Sequence, residues 1–331
     1  MITKKATFLA RLATFFLFLF YGFNAIIVVC LLVPWFMSWG IIEDPLLFMP
    51  RWLVFFLLVP VITFNAKLLL EHKYTFFPTL LFTVLFYLGF QLPIFLINNE
   101  SASSHLRIMS VNLGGITNNK HKITAQIKYG KASIIAFQET SKDEVIEITP
   151  EHWNVICNNH QCVASEFELE VISSQNRRIF DGWGTVYTLY KVTIEGKDIY
   201  TINVHLETPR KGFEEISMRT LNFKSMAEFF ELRFLEAQLV SNRVAIFAPL
   251  IIMGDFNMPV ESSIYRDSFS QYTNTFNYAG FGFGHTKFTR LHGIRIDHIL
   301  IDDHFITTDA WVGGDVGSDH RPIYADIIFK N

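Results

Sequence analysis

Residues 12–42 contain no charged side chain. A run of that length has only two physical homes, a lipid bilayer or a deeply buried helical layer, because about 20 apolar residues already cross a membrane. Two more apolar segments follow: 52–70, with Lys67 near its end where it can snorkel, and 74–97, again uncharged. Trp35, Trp39 and Trp52 cluster at one boundary, as interfacial aromatics do. Pro34, Pro60, Pro78 and Pro93 would interrupt soluble helices, whereas packed membrane helices tolerate them. A cleaved signal peptide fits poorly, since the first run is too long and shows no small-residue cleavage site. The expectation is a transmembrane region over 1–98, with spans near 12–37, 52–70 and 74–97. Lys4, Lys5 and Arg11 precede the first span and Lys67 and Lys73 flank the second turn, which puts the N-terminus in the cytoplasm. Three spans then leave the rest periplasmic or extracellular, in a multi-pass protein of the inner or plasma membrane.

Composition changes after this region. Six basic and four acidic residues lie within 1–100, so the remainder carries 22 against 27, about −5. No basic tract announces nucleic acid, and a grip on a polyanion must be local or metal-assisted. Residues 99–105 read as a polar, serine-rich linker, and 106–331 as one globular domain. Cys157 and Cys162 bracket four residues, a spacing open to a small disulfide loop or to two free thiols. With His160 between them they form an incomplete zinc set.

Within the domain, β-branched or aromatic runs at 107–112, 134–138, 185–194, 200–205, 250–254, 296–301 and 323–329 read as strands. Helical spacing marks 120–129 and 214–243; in the latter Met218, Leu221, Phe229, Leu232 and Leu235 form the expected apolar face. Strands and helices mixed without strict alternation suggest covered sheets. Polar residues recur where the apolar strands end: Asn112, Glu139, His205, Asp255 with Asn257, Asp297 and Asp319 with His320. One such residue means little, but six strand ends of this kind suggest a shared rim of carboxylates, amides and imidazoles. Those ligands, without cysteine, suit Mg²⁺ or Mn²⁺ rather than zinc.

Ser-Val-Asn at 110–112, Gln-Glu at 138–139, Asn-Val-His-Leu at 203–206, Gly-Asp-Phe-Asn at 254–257, Arg-Ile-Asp-His-Ile at 295–299 and Gly-Ser-Asp-His-Arg-Pro at 317–322 follow one another in order. This series resembles the motifs of the endonuclease/exonuclease/phosphatase (DNase I-like) superfamily, and the apolar prefix resembles its membrane-attached bacterial members. The resemblance implies an α/β fold, a four-layered α/β/β/α sandwich preceded here by a three-helix transmembrane region. It implies Glu139 as principal metal ligand, with Asn112 steadying the metal shell and Asp319 near the metal. It implies His320, partnered by Asp297, as general base or as stabiliser of the pentacovalent phosphorane, His205 as hydrogen-bond donor to the phosphate, and Asp255 and Asn257 orienting water and phosphate. His298 is assigned to structure, because neighbours on a strand face opposite ways. Arg210, Arg219 and His285 are candidate substrate contacts. The sequence departs from DNase-like members in one place: around 173–185 stand Arg177, Arg178 and Asp181, but no glutamate to partner the first histidine.

The expected function is a membrane-anchored, Mg²⁺-dependent (or Mn²⁺-dependent) phosphoesterase that hydrolyses a phosphodiester with metal-activated water. Its substrate would be a nucleic acid or a phospholipid or sphingomyelin head group, with no obligate protein partner implied. The alternative is a non-catalytic binding or signalling protein that keeps the fold. The insertion between His205 and Gly254 lies over the site or against the membrane in this reading.

Overall fold

The computed structural model describes residues 2–32, 43–93, 105–115, 120–217 and 223–330. The chain divides into two compact units, Met1–Phe90 and Gln91–Asn331.

Among the described residues of the first unit, one helix, Ile2–Leu32, is long and apolar enough to cross a bilayer; its stretch Lys5–Val29 has a mean hydropathy of 2.2. The expectation of three spans is corrected here. The second segment folds as a 3-10 helix, Arg51–Leu58, running into Val59–Asn65, an apolar stretch below the ~20 residues a span needs. The third is shorter still, Lys73–Phe82 with Pro78 inside it and one π turn at Thr83–Tyr87. Proline removes a backbone donor, and the π turn shifts the hydrogen-bonding register just beyond it. Residues 33–42, the end of the first expected span, and 94–104, most of the linker, lie outside the described residues. Leu17, Phe20, Ile27, Val54, Leu58, Val61 and Phe76 pack together as this unit's core.

The second unit is a sandwich of two six-stranded sheets. Strands are numbered along the chain: β1 Leu106–Asn112, β2 Ile134–Gln138, β3 Asn154–Asn158, β4 Gln161–Ser165, β5 Glu168–Asn176, β6 Thr185–Ile194 and β7 Lys197–His205. They continue as β8 Leu250–Asp255, β9 Thr273–Asn274, β10 Lys287–Phe288, β11 Gly293–Ile294, β12 Asp297–Ile301, β13 Phe305–Val312 and β14 Ile323–Phe329. One sheet runs β13-β14-β1-β2-β4-β3 and the other β5-β6-β7-β8-β12-β9. Between them Ile108, Ile134, Val163, Tyr190, Ile251 and Ile299 form a shared core. Helices Lys120–Gly130 and Lys142–Ile148 cover the first sheet through Ile123, Ile127 and Val145, and Phe223–Val244 with Ser263–Phe269 cover the second. Four layers in α/β/β/α order result.

Strands β3, β4, β5, β9, β10, β11 and β13 escape the sequence reading: most are only partly buried or two residues long, and β4, though buried throughout, is a five-residue Gln-Cys-Val-Ala-Ser run with one β-branched residue. Cys157 and Cys162 face each other across the β3–β4 hairpin and form a disulfide. The 205–254 insertion packs on the outer face of the second sheet through Phe230, Ala237, Val240 and Val244. Leu235, expected on its apolar face, is exposed, and Arg233 and Glu236 are buried instead. Met218 and Leu221 lie outside the described residues.

Gly254 is the residue on which the second sheet's pairing turns. It sits at φ +146°, and a Cβ there would stand 2.0 Å from the Val204 carbonyl oxygen of the parallel neighbour β7. Gly254→Ala should therefore force β7 and β8 apart, with a melting temperature lower by roughly 10 °C or more, or no soluble protein. A melting curve within a degree or two of wild type would contradict the packing.

Candidate active site

Parallel pairing of β1 with β2, and of β7 with β8, brings their carboxyl ends to one edge of the sandwich. In register, Asn112 lies beside Gln138, and His205, Asp255 and Asp297 stand abreast across β7, β8 and β12. Glu139 follows β2 directly and takes φ +54°, a left-handed turn that swings its carboxylate out of the strand path. Asn112 is fully buried behind it. Its amide nitrogen Nδ2 donates to Glu139 Oε1 (2.8 Å) and to Asp255 Oδ2 (3.0 Å), while its Oδ1 accepts from the Gly114 N–H (2.9 Å). Asn257, also at positive φ, accepts nothing from this cluster: its N–H donates to Asp255 Oδ1 and its Nδ2 to the Leu206 carbonyl. His320 Nδ1 lies 2.9 Å from Asp297 Oδ2, and the Asp297 N–H in turn donates to the Thr286 hydroxyl.

These groups open on a cavity of about 730 Å³ whose lining includes Glu139, His205, Asp255, Asn257, Asp319 and His320. Its electrostatics follow from burial and crowding. Burial, then the nearby Asp297 charge, pushes the Asp255 carboxyl up to about 7. Burial works the same way on Asp297, but the facing His320 and its hydrogen bond more than offset it and hold Asp297 below the usual carboxylate range. Burial disfavours the charged form of His320, yet Asp297 and Asp255 outweigh it and raise that imidazole to about 9. His205 goes the other way, to about 4, because burial outweighs Glu139 and the Arg177 charge adds to the penalty. Asp297 with His320 is thus a carboxylate–imidazolium pair near neutral pH, and His205 is a neutral imidazole that keeps one N–H to donate.

The donor set fits a hard divalent cation. Glu139 and Asp255 present carboxylates tied by one amide, His205 Nε2 stands 3.5 Å from Glu139, and no thiol is near among the described residues.

Not every candidate contact converges. Arg210 lines the cavity but is mostly exposed and pairs with Glu214 at 2.7 Å. His285 stacks on Phe283 in a separate cavity of about 570 Å³ with Phe276, Phe288 and Trp311, so the structure does not bring it to the catalytic cavity. Arg219 lies outside the described residues. Asp319 reaches the cavity ion-paired to Lys287, 2.7 Å away. His298 is fully buried, between the Met258 carbonyl and Asn274, as its structural assignment requires.

Sequence reasoning missed two features. Lys287 touches both Asp319 and His320, and nothing in its local sequence sets it apart from a surface lysine. Arg177, from the segment where a glutamate was sought, is buried: it donates to the His205 carbonyl, to the Trp183 carbonyl and to Glu236 (2.6 Å). Glu236 also accepts the Glu207 N–H at 2.7 Å.

A sandwich with a carboxylate–imidazole rim at the carboxyl ends of its parallel strands has the groups to hold a cation and to move a proton, as a metal-assisted hydrolase requires. The sequence profile of the Endonuclease/Exonuclease/phosphatase family matches residues 109–320, and the chain belongs to that family. No curated protein matches it in sequence. Among solved structures it is similar to an endonuclease/exonuclease/phosphatase from Bacteroides vulgatus, at 14% identity and a TM-score of 0.50 over 69% of this chain and 100% of that one. Truncated Caenorhabditis elegans TDP2 is similar at 16% identity and 0.50, over 68% and 98%. A functionally unknown conserved protein from Enterococcus faecalis V583 is similar at 13% and 0.50, over 68% and 100%. At these identities the likeness is one of fold.

Proposed function

We propose that this chain is a membrane-anchored, divalent-metal-dependent phosphodiesterase whose catalytic domain works outside the cytoplasm. The observation that carries the hydrolytic part is the His320–Asp297 pair, 2.9 Å apart, whose His320 faces the same cavity as Glu139 and His205. Glu139, supported by Asp255 and Asp319, would hold Mg²⁺ or Mn²⁺, with Asn112 fixing the first two carboxylates by its amide. When bound, the cation supplies Lewis-acid stabilisation of the charge that develops on the phosphoryl and leaving oxygens. With a cation to offset the Asp255 charge that helps keep it protonated, His320 would be neutral enough to take the proton from the attacking water, and Asp297 holds the ring and stabilises the imidazolium. His205 donates to a non-bridging oxygen. Asn257 shapes the turn that aims Asp255. No side chain attacks phosphorus.

Anchoring rests on the Ile2–Leu32 helix, where Phe8, Phe15, Phe18 and Ile26 are exposed to whatever surrounds them. One span among the described residues, with Lys4, Lys5 and Arg11 at its N-terminal end, also leaves the domain outside, and the Cys157–Cys162 disulfide agrees with an oxidising compartment. The net acidic domain and the tether, which raises local concentration at a surface, favour a lipid head group over duplex DNA as the ester.

Purified full-length protein should cleave phosphodiesters with Mg²⁺ or Mn²⁺ and lose activity by about a hundredfold or more on chelation, with recovery on re-addition. Glu139→Ala should resist that rescue. Equal, background rates for wild type and Glu139→Ala on nucleic-acid, lipid and inositol esters would refute the enzyme reading. A C-terminal reporter active only in the cytoplasm should stay silent; a signal from it would overturn the topology.

A further inference from the structure

We propose that Lys287 is a substrate-binding residue of this site, gripping a non-bridging oxygen of the phosphoryl group beside His320. The inference rests on the phosphoesterase reading and extends it to a residue outside the motifs. Backbone contacts pin Lys287 against the segment that carries Asp319 and His320. Lys287 bridges His320 in antiparallel fashion, the Phe288 N–H donates to the Asp319 carbonyl at 2.7 Å, and the Arg321 N–H donates to the Thr286 carbonyl at 2.6 Å. The Arg321 guanidinium lies 4.2 Å over the Phe288 ring and closes the same seam.

The side chain points into the catalytic cavity. Its ammonium stands 2.7 Å from Asp319 Oδ2 and 2.9 Å from His320 Nε2. An ammonium has three N–H donors; Asp319 takes one, and His320 Nε2 takes a second only when that nitrogen is unprotonated. His320 Nδ1 is held by Asp297, so Nε2 is the nitrogen that meets the reacting group, and Lys287 shares its direction. An oxygen within hydrogen-bond reach of Nε2 is therefore within reach of Nζ on its flexible stem. The other described cations lining the cavity are placed differently: Arg177 is buried against Glu236 and two carbonyls, and Arg210 is paired at the exposed rim. The competing role for Lys287 is a prop that only neutralises Asp319, and affinity for anion and metal separates the two.

Full-length protein in detergent, saturated with Mn²⁺, is titrated calorimetrically with inorganic phosphate. Lys287→Met should weaken phosphate about tenfold or more, the scale of one charge-assisted hydrogen bond. Lys287→Arg should restore most of it, and the Mn²⁺ affinity and melting temperature of both should stay at wild-type values. Unchanged phosphate affinity in Lys287→Met overturns the proposal. So does a loss of phosphate matched by an equal loss of Mn²⁺, or failure of Lys287→Arg to rescue a normally folded protein. Hydrolysis of bis(p-nitrophenyl) phosphate is followed in the same preparations. A wild type that binds phosphate through Lys287 but cleaves no ester sinks the phosphodiesterase reading and leaves Lys287 as an anion-binding residue.

Discussion

Replacing His320 with alanine should lower kcat by about 10³–10⁴-fold, the upper range for loss of a positioned general base, with KM changed far less. The imidazole is held through Nδ1 by Asp297 and is buried on every side except the cavity, so water substitutes for it poorly. Asp297→Asn should cost about 10²–10³-fold, because an amide neither stabilises the imidazolium nor enforces the tautomer. The double variant is the informative one. If Asp297 acts through His320, it should be no slower than His320→Ala alone, since effects within one unit are not additive. A double variant slowed by the product of the two single losses would show that Asp297 acts independently, for instance on Asp255.

Arg177→Met should destabilise the domain by about 3–5 kcal/mol, the cost of leaving one member of a buried ion pair alone. For a domain of this size that lowers the melting temperature by roughly 10 °C. Glu236 is wholly buried, and without the guanidinium 2.6 Å away its carboxylate has only the Glu207 N–H. Burial already raises its pKa, and Arg177 is the main force opposing that rise. The sign follows: removing Arg177 lifts the folded-state pKa further above the unfolded value. The variant's deficit is then largest above that pKa and shrinks as the pH falls and Glu236 takes up a proton. Melting curves at pH 8 and pH 5 check this, and a gap that widens at low pH would contradict it. Pairing Arg177→Met with Glu236→Leu should recover most of the stability, as apolar replacements of buried pairs do. Activity should fall in the single variant as well, because Arg177 also holds the His205 carbonyl.

Much of the catalytic rim is legible in the chain because its residues abut strands whose apolar runs announce themselves. Ile134–Gln138 and Leu250–Asp255 are buried along their whole length, so the polar residue at each end has to face a rim. The apolar N-terminal region shows the opposite limit. Hydropathy marks three apolar stretches, yet Pro78 and the 3-10 stretch Arg51–Leu58 break two of them into short helices, and composition does not report backbone continuity. The apolar stripe expected around Leu235 is displaced for a related reason. Arg233 and Glu236 read as solvent-facing charges until partners from distant segments, the Asn257 carbonyl and Arg177, offset the cost of burial.

By itself the sequence determined the strand ends, the residue types gathered there and hence the class of chemistry, since those follow from local patterns. Only the tertiary structure decided which charges meet. It set His205, Asp255 and Asp297 side by side, removed His285 from the cavity and brought Lys287 to His320 across 33 positions of chain. Electrostatic partnership depends on distance in space, and the pairing register of two sheets sets that distance.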